Sequence, residues 1–399
     1  MAESYNAERA NDGSWGNNDQ ALYVTRPSMP SLDEFVAEIA PLWNSHIFTN
    51  MGEKHELFAR QLEHVLQVEN CVLFANGHSA LEASLEALDL QGEVITTPFT
   101  FPSTTHAIAR RGLTPVMCDV RADDGTLDPS LVESLITSRT SAIMPVHVYG
   151  NPCDTAAIER IAKRHGLKVV YDAAHAFGER IGGRSIASFG DASVFSFHAT
   201  KVFNSVEGGA VCFNGNQAYR SKLELLRNFG ITDAEHVDAI GANAKMSELH
   251  AAMGLCNLRH HDEQVALRKR VIAHYRQRLS GIEGLRFLSR AGAEDENAAR
   301  SLASNYAYCA LVIEPEFGIG RDELHDALAA QGIFARKYFF PCTNAHACYA
   351  GKLDPTDTPV ARMLSEQVLC LPLFAQMDTK SVDRVCDVLL ATRQRGYTS

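Results

Sequence analysis

Ser196-Phe-His-Ala-Thr-Lys201 is the stretch on which the reading of the chain turns. It lies between two runs of small and apolar residues, Asp191-Ala-Ser-Val-Phe195 and Glu207-Gly-Gly-Ala-Val-Cys-Phe213. Both runs read as strands, so Lys201 is expected on a turn at the mouth of a sheet. A lysine held there forms an imine with a carbonyl if its surroundings lower its pKa enough to free the amine.

About thirty residues upstream stands Val169-Val-Tyr-Asp-Ala-Ala-His-Ala-Phe-Gly178. Here a buried strand ends on an acid, Asp172. An acid and a lysine on neighbouring strand ends suit pyridoxal 5'-phosphate (PLP): the acid keeps the pyridine nitrogen protonated and the lysine holds the aldehyde.

Working outward, the sequence alternates. Strands are expected at Cys71–Phe74, Glu93–Thr97, Pro115–Asp119, Ser141–Val148 and Leu167–Tyr171. Helices are expected after Asn76, over 103–111, over Ser130–Ile136 and after Asp154. Strands separated by helices of about ten residues imply βαβ units and a mainly parallel sheet. The strands are continuous apolar runs, as expected when helices cover both faces. In such sheets ligands gather outside the carboxyl ends of the strands. Asn76, Phe101, Asp172 and Lys201 all fall there.

PLP also needs a group on each ring face and donors for its phosphate. Phe101 is a candidate for one face, and His175 for contact with the ring or its 3-oxygen. Gly77, His78 and Ser79 open a helix after a strand. Free N–H groups and the helix dipole make such a start an anion site, and Ser196 can add its hydroxyl. Taken singly, each has a plainer reading: Asp172 as a cap, Phe101 as core, the glycine turn as an empty strand–helix turn, His198 as a solvent-facing histidine. His260-His261 reads as a solvated helix face, and no metal site is expected. The ordered set of glycine turn, aromatic loop, strand-Asp-x-x-His and strand-Ser-x4-Lys carries the specificity.

At 399 residues the chain is long enough for two domains. A mobile tail is expected at 1–23, a large PLP-binding domain at 24–265 and a smaller C-terminal α/β domain at 266–399. A helix expected from Asn243 to near Leu279, with Met246, Leu249 and Met253 on one face, bridges the domains. In the smaller unit the expected strand is Tyr306–Ile313 and the expected helices are near 321–330, 359–367 and 379–392. The net charge of −11 argues against a nucleic-acid or anionic-membrane surface. No apolar run approaches the ~18 residues that span a bilayer. The polar first twenty residues do not read as a signal peptide. The ten cysteines are therefore expected as reduced thiols in a cytoplasmic protein.

Tyr-Asp-Ala-Ala-His-Ala-Phe-Gly and Ser-Phe-His-Ala-Thr-Lys, followed by Glu-Gly-Gly-Ala, resemble the DegT/DnrJ/StrS family of nucleotide-sugar aminotransferases. So do Val-His-Val-Tyr-Gly-Asn-Pro-Cys-Asp (146–154) and Asn-Ala-Lys-Met-Ser-Glu-Leu-His-Ala-Ala-Met-Gly (243–254). The resemblance covers about residues 24–350. It implies the fold-type-I PLP architecture, a homodimer, and amino transfer from L-glutamate to a keto sugar on a nucleotide. It places the active lysine at Lys201 and the ring acid at Asp172. Phosphate contacts fall to Gly77–Ser79, to Ser196 and, across the dimer interface, to Asn243.

Two departures stand out. His78 replaces the threonine found in many members, leaving a backbone N–H to serve the phosphate. After Arg336-Lys-Tyr-Phe-Phe-Pro341, Cys342-Thr343 replaces Leu-His in a segment near the sugar. Tyr338 and Thr343 are accordingly candidates for substrate contact, and the sugar should differ from that of those members. The entry Val-Thr-Arg-Pro and the Val-Phe-Asn-Ser-Val-Glu-Gly-Gly after the lysine are most similar to the branch that aminates C4 of dTDP-4-keto-6-deoxyglucose. A C3-aminotransferase, a cyclitol aminotransferase and a non-catalytic sensor that binds PLP or a nucleotide sugar are the alternatives. Sugar dehydratases of this family carry histidine where this chain has Lys201.

Overall fold

The computed structural model describes residues 21–288 and 302–396. Its centre is a seven-stranded sheet. In chain order the strands are β1 (Asn70–Phe74), β2 (Glu93–Thr96), β3 (Thr114–Met117), β4 (Thr140–Ile143), β5 (Lys168–Asp172), β6 (Ala192–Ser196) and β7 (Gly209–Phe213). They lie in the order β1-β7-β6-β5-β4-β2-β3. Neighbours from β6 to β3 run parallel, while β7 is antiparallel to both β6 and β1. The α/β class and the mainly parallel sheet are as the sequence implied. The strands are buried throughout most of their lengths, because helices pack on both faces.

Turn chemistry sets the strand ends. Gly166 closes the helix Thr155–His165 at φ 67°, donating its N–H to Ala162 O, and β5 starts two residues later. Asp154 caps the other end of that helix by accepting from Ala157 N. β4 stops at Ile143, short of the expected Val148. Pro145 has no N–H for the ladder, and only the isolated bridge Val146–Asp172 continues the pairing.

Helix α1 (Leu32–Ser45) and helix α2 (Glu53–Leu66) precede the sheet. Helix α3 (Gly77–Ala87) follows β1, and helix α4 (Pro102–Arg110) follows β2. The long helix α5 covers Glu248–Leu279, capped by Ser247, whose hydroxyl accepts from His250 N. It does not begin at Asn243, because that residue pairs with Asn228 in an extended bridge. Leu249 is exposed, so it does not share a buried face with Met246 and Met253. Ala251 and Leu255 belong to the core around the large sheet, and Val271, Ile272, Tyr275 and Leu279 to a second core.

That second core lies on an antiparallel sheet of β8 (Leu285–Phe287), β9 (Cys309–Ile313) and β10 (Val368–Leu371). Only β9 was expected from the sequence. Arg321–Ala330, Pro359–Gln367 and Thr379–Gly396 are its helices. Most of the expected tail lies outside the described residues. Its last part, Leu22–Tyr23, is instead a short strand that pairs in parallel with Ile333–Phe334.

Candidate active site

A cavity of about 600 Å³ opens at the carboxyl ends of β1, β2, β5 and β6. Its size is that of a small-molecule site. Asn76, Gly77, His78, Phe101, Asp172, His175, Ser196, Lys201 and Tyr338 all line it. One pocket therefore gathers residues spread over more than 260 positions of sequence.

Asp172 ends β5 and is buried. Thr104 donates its hydroxyl to Oδ2 at 2.7 Å, and Ala174 donates its N–H to Oδ1 at 3.1 Å. Burial raises the carboxyl pKa, while the two donors and the Lys201 charge pull it down. Lys201 sits on the β6–β7 turn, its N–H on His198 O at 2.9 Å. Burial lowers its amine to about 8, and the Asp172 charge partly opposes that shift. The pair thus combines a readily freed amine with an acid within electrostatic reach.

His175 Nδ1 accepts the Tyr149 N–H at 3.2 Å. The neutral ring must then carry its proton on Nε2. Burial, followed by the Lys201 charge, holds its pKa well below the usual value, so the ring is neutral. It stacks on Phe339 with ring centroids 5.8 Å apart, which fixes its plane. Phe101 is half exposed on the cavity wall, available to a ring.

Asn76 caps α3 by accepting the Ser79 N–H at 2.8 Å. Gly77 and His78 stand at the helix start, where N–H groups have no intrahelical acceptor. Gly77 is needed for close approach: a Cβ there would lie 2.8 Å from Ser196 Cβ. Ser196 is thereby pressed against the helix start. The His78 side chain turns to Ser103, with Nδ1 2.8 Å from its hydroxyl, so only the His78 backbone is left for an anion. These donors, the lysine and the acid fit PLP.

The remaining candidates are placed differently from one another. Ser79 is not on the cavity wall, and its N–H goes to Asn76. Thr343 is fully buried and its hydroxyl pairs with Thr105 at 2.8 Å, away from the cavity. Asn243 is exposed and not brought to this cavity within one chain. His198 does line the cavity, exposed, with Nδ1 on Thr200 and Nε2 3.6 Å from Glu207. His261 is not solvated: it packs edge-on against Phe177, whereas His260 reaches Glu34 at 2.7 Å. Among the described residues, no cluster of three or more His, Cys, Asp or Glu is arranged to hold a metal.

Sequence reasoning missed Thr104, Thr100 and Tyr308. Thr100-x3-Thr104 was legible as a hydroxyl pair leading into a proline-started helix. Tyr308 gave no local signal, since it stands just before β9 and reaches the cavity only through long-range packing.

Fold and site together define a PLP-dependent enzyme of fold type I. The chain matches the DegT/DnrJ/EryC1/StrS aminotransferase family over residues 31–390, and it belongs to that family. It is a PLP-dependent aminotransferase. It is 40% identical over 371 residues to a dTDP-4-amino-4,6-dideoxy-D-glucose transaminase of Shigella dysenteriae, covering 93% of this chain and 99% of that one. A transaminase of the same name from Escherichia coli is 36% identical over 378 residues, covering 94% and 99%. Among solved structures, DesI in the presence of its TDP-sugar product superposes with a TM-score of 0.87 at 34% identity, covering 96% of each chain.

Proposed function

We propose that this enzyme transfers the amino group of L-glutamate to the C4 keto carbon of dTDP-4-keto-6-deoxy-D-glucose, giving dTDP-4-amino-4,6-dideoxy-D-glucose. One observation carries the reading: end-to-end similarity to two transaminases named for that product, in a chain that keeps Lys201 and Asp172 in one cavity.

The residues divide the work. Lys201 would hold the cofactor between turnovers, and Asp172 would serve its ring nitrogen. The Gly77 and His78 N–H groups and the Ser196 hydroxyl would hold the phosphate. His175 would offer its Nε2–H to the ring or its 3-oxygen, and Phe101 would cover a ring face. Bound PLP supplies an electron sink that carries the amino group from one substrate to the other. Lys201 Nζ would take the proton from the glutamate α-carbon. In the second half-reaction it delivers a proton to C4 of the sugar. Tyr338 lies on the cavity wall, placed to contact the sugar.

The same reading makes the working form a homodimer in which Asn243 reaches the partner's phosphate site. Its support is the exposed Asn243 at the end of a segment, 228–243, that carries Phe229, Val237 and Ile240 exposed to water. An exposed apolar set of this kind marks an interface. Among the described residues no helix is long and apolar enough to cross a membrane. All ten cysteines are free thiols, which supports a cytoplasmic location.

The test follows the bound cofactor by absorbance. L-Glutamate should convert its spectrum, and dTDP-4-keto-6-deoxyglucose should restore it, with the C4 amine as product by NMR. Restoration only by a 3-keto sugar would overturn the regiochemistry.

A further inference from the structure

Behind His175 lies a second buried acid that the amino-transfer chemistry does not use. Glu179 is 1% exposed, four residues beyond His175. Its Oε1 accepts the Asn305 N–H at 2.8 Å and the Ser304 hydroxyl at 3.1 Å. Asn305, itself 2% exposed, donates its amide to His175 O at 2.9 Å and to Phe177 O at 3.0 Å. Glu179 therefore grips Asn305, and Asn305 grips the main chain that carries His175. The contact also joins two parts of the molecule: Leu302–Ala303 pairs with Arg180–Ile181, and three residues after Asn305 comes Tyr308, edge-on to His175 at 5.0 Å.

One atom of this network is unsatisfied. Asn305 Oδ1 is buried with no hydrogen-bond partner among the described residues. It and Glu179 Oε1 converge on Gly150, whose absent Cβ would lie 3.1 and 2.9 Å from them. Gly150 has φ 87°, so glycine is required there both for the backbone and for the space. A carboxylate offers no donor to an amide oxygen; a neutral carboxyl does.

We propose that Glu179 is a positioning residue for His175, acting through Asn305, and that it works as a neutral carboxyl whose O–H serves Asn305 Oδ1. The surrounding charges agree. Arg180 is drawn away to Gln67, Gly183 O and Val65 O, and Arg184 to Ser188. Arg268 bonds Tyr306 O and Ala307 O, and His261, neutral through burial, packs on Gly178. The Tyr306 phenol is within reach of the Glu179 charge, which raises its pKa after burial has done so. Lys201 shares a small cavity with His175 and Asn305 and acts on His175, but it is not among the groups that shift Glu179. Among the described residues no cation pairs with Glu179. Burial accordingly lifts its carboxyl from 4.5 to about 8, against the pull of Asn305 and Ser304.

The folded value lies above the unfolded one, so this group's contribution to stability is complete below pH 4.5 and is lost as the pH rises to about 8. The experiment compares wild type with Glu179→Gln, Glu179→Ala and Asn305→Ala. Glutamine imitates the neutral carboxyl and is expected to keep kcat within about twofold, while the two alanine variants lose about tenfold or more in kcat with smaller changes in KM. In the cofactor-free protein, the difference in Tm between wild type and Glu179→Gln should move in favour of the glutamine variant between pH 5 and pH 8. That difference removes the titrations of Asp172 and Lys201, which both proteins share.

Kinetics are read on the glutamate half-reaction, so a wrong choice of sugar does not affect them. The proposal rests on His175 serving the cofactor, but the cofactor-free Tm comparison does not. Glutamine as harmful as alanine would show that the ionised form is the working one and overturn the proposal. A Tm difference that does not change with pH would overturn it independently.

Discussion

Thr104 donates its hydroxyl to Asp172 Oδ2 at 2.7 Å, and Thr100 lies 2.9 Å behind it, hydroxyl to hydroxyl. All three are buried. The chain Thr100–Thr104–Asp172 fixes the plane of the carboxylate and leaves its remaining lone pairs to the cavity. Thr104→Val is nearly isosteric but removes the donor. A hydrogen bond to a charged group contributes about 1.5–3 kcal/mol, so PLP affinity and kcat together should fall roughly ten- to a hundredfold. Titration of the cofactor-free variant with PLP and its kcat on glutamate check this. An unchanged kcat would mean that the carboxylate is oriented by Ala174 alone.

With Lys201 as the proposed cofactor lysine, its pairing with Asp172 should set how PLP is captured. In the cofactor-free protein the Lys201 amine lies at about 8, lowered by burial and raised in part by Asp172. Capture of PLP requires the free amine, so its rate should rise with pH and level off above about 8. Asp172→Asn removes the opposing charge, so the midpoint should move lower while kcat drops about a hundredfold or more for want of the ring partner. The stability sign is opposite to that of Glu179. A lysine value below its unfolded 10.5 gives a contribution complete above pH 10.5 and lost as the pH falls to about 8. Stopped-flow capture rates across pH 6.5 to 9.5 read the midpoint directly. A midpoint that rises in Asp172→Asn contradicts an attractive coupling between the two charges.

Gly77 tests the phosphate end separately. Its Cβ position lies 2.8 Å from Ser196 Cβ and 3.1 Å from Ser196 Cα. Alanine there must push α3 away from β6, an overpacking that costs about 1–3 kcal/mol. PLP should bind Gly77→Ala roughly tenfold or more weakly. Pyridoxal, which has no phosphate, should bind wild type and variant alike, measured by equilibrium dialysis. Equal losses for both ligands would place the damage at Lys201 and not at the helix start.

Much of this site was legible because its residues end strands. The alternation of apolar runs with capped helices pointed to the sheet, and a sheet puts its strand ends together. Asp172, Ser196 and Lys201 needed only that rule. The three-stranded antiparallel sheet was not legible: β8 is three residues long and β10 follows directly on a helix, so neither carries a period of its own. Thr343 misled for a related reason. It adjoins a segment that does line the cavity, but its hydroxyl found a buried partner in Thr105, 238 positions away. Nothing local records such a pairing. His261 and His260 differ in the same way, since one helix step turns the first against Phe177 and the second toward Glu34.

The proposed interface is open to a clean division. Ile240 is 95% exposed on the returning limb of the 228–243 hairpin, three residues before Asn243. If that segment crosses to a partner, Ile240→Asp should bury an unpaired charge in the interface and shift the protein toward monomer, by sedimentation at micromolar concentration. Asn243→Ala removes only one side-chain donor, so it should leave the dimer intact while weakening PLP binding about three- to tenfold. The combination is informative because the monomer lacks the partner's Asn243. Adding Asn243→Ala to Ile240→Asp should then weaken PLP binding no further in the monomeric fraction. An additional loss there would assign Asn243 a role within its own chain, and a fully dimeric Ile240→Asp would place the interface elsewhere.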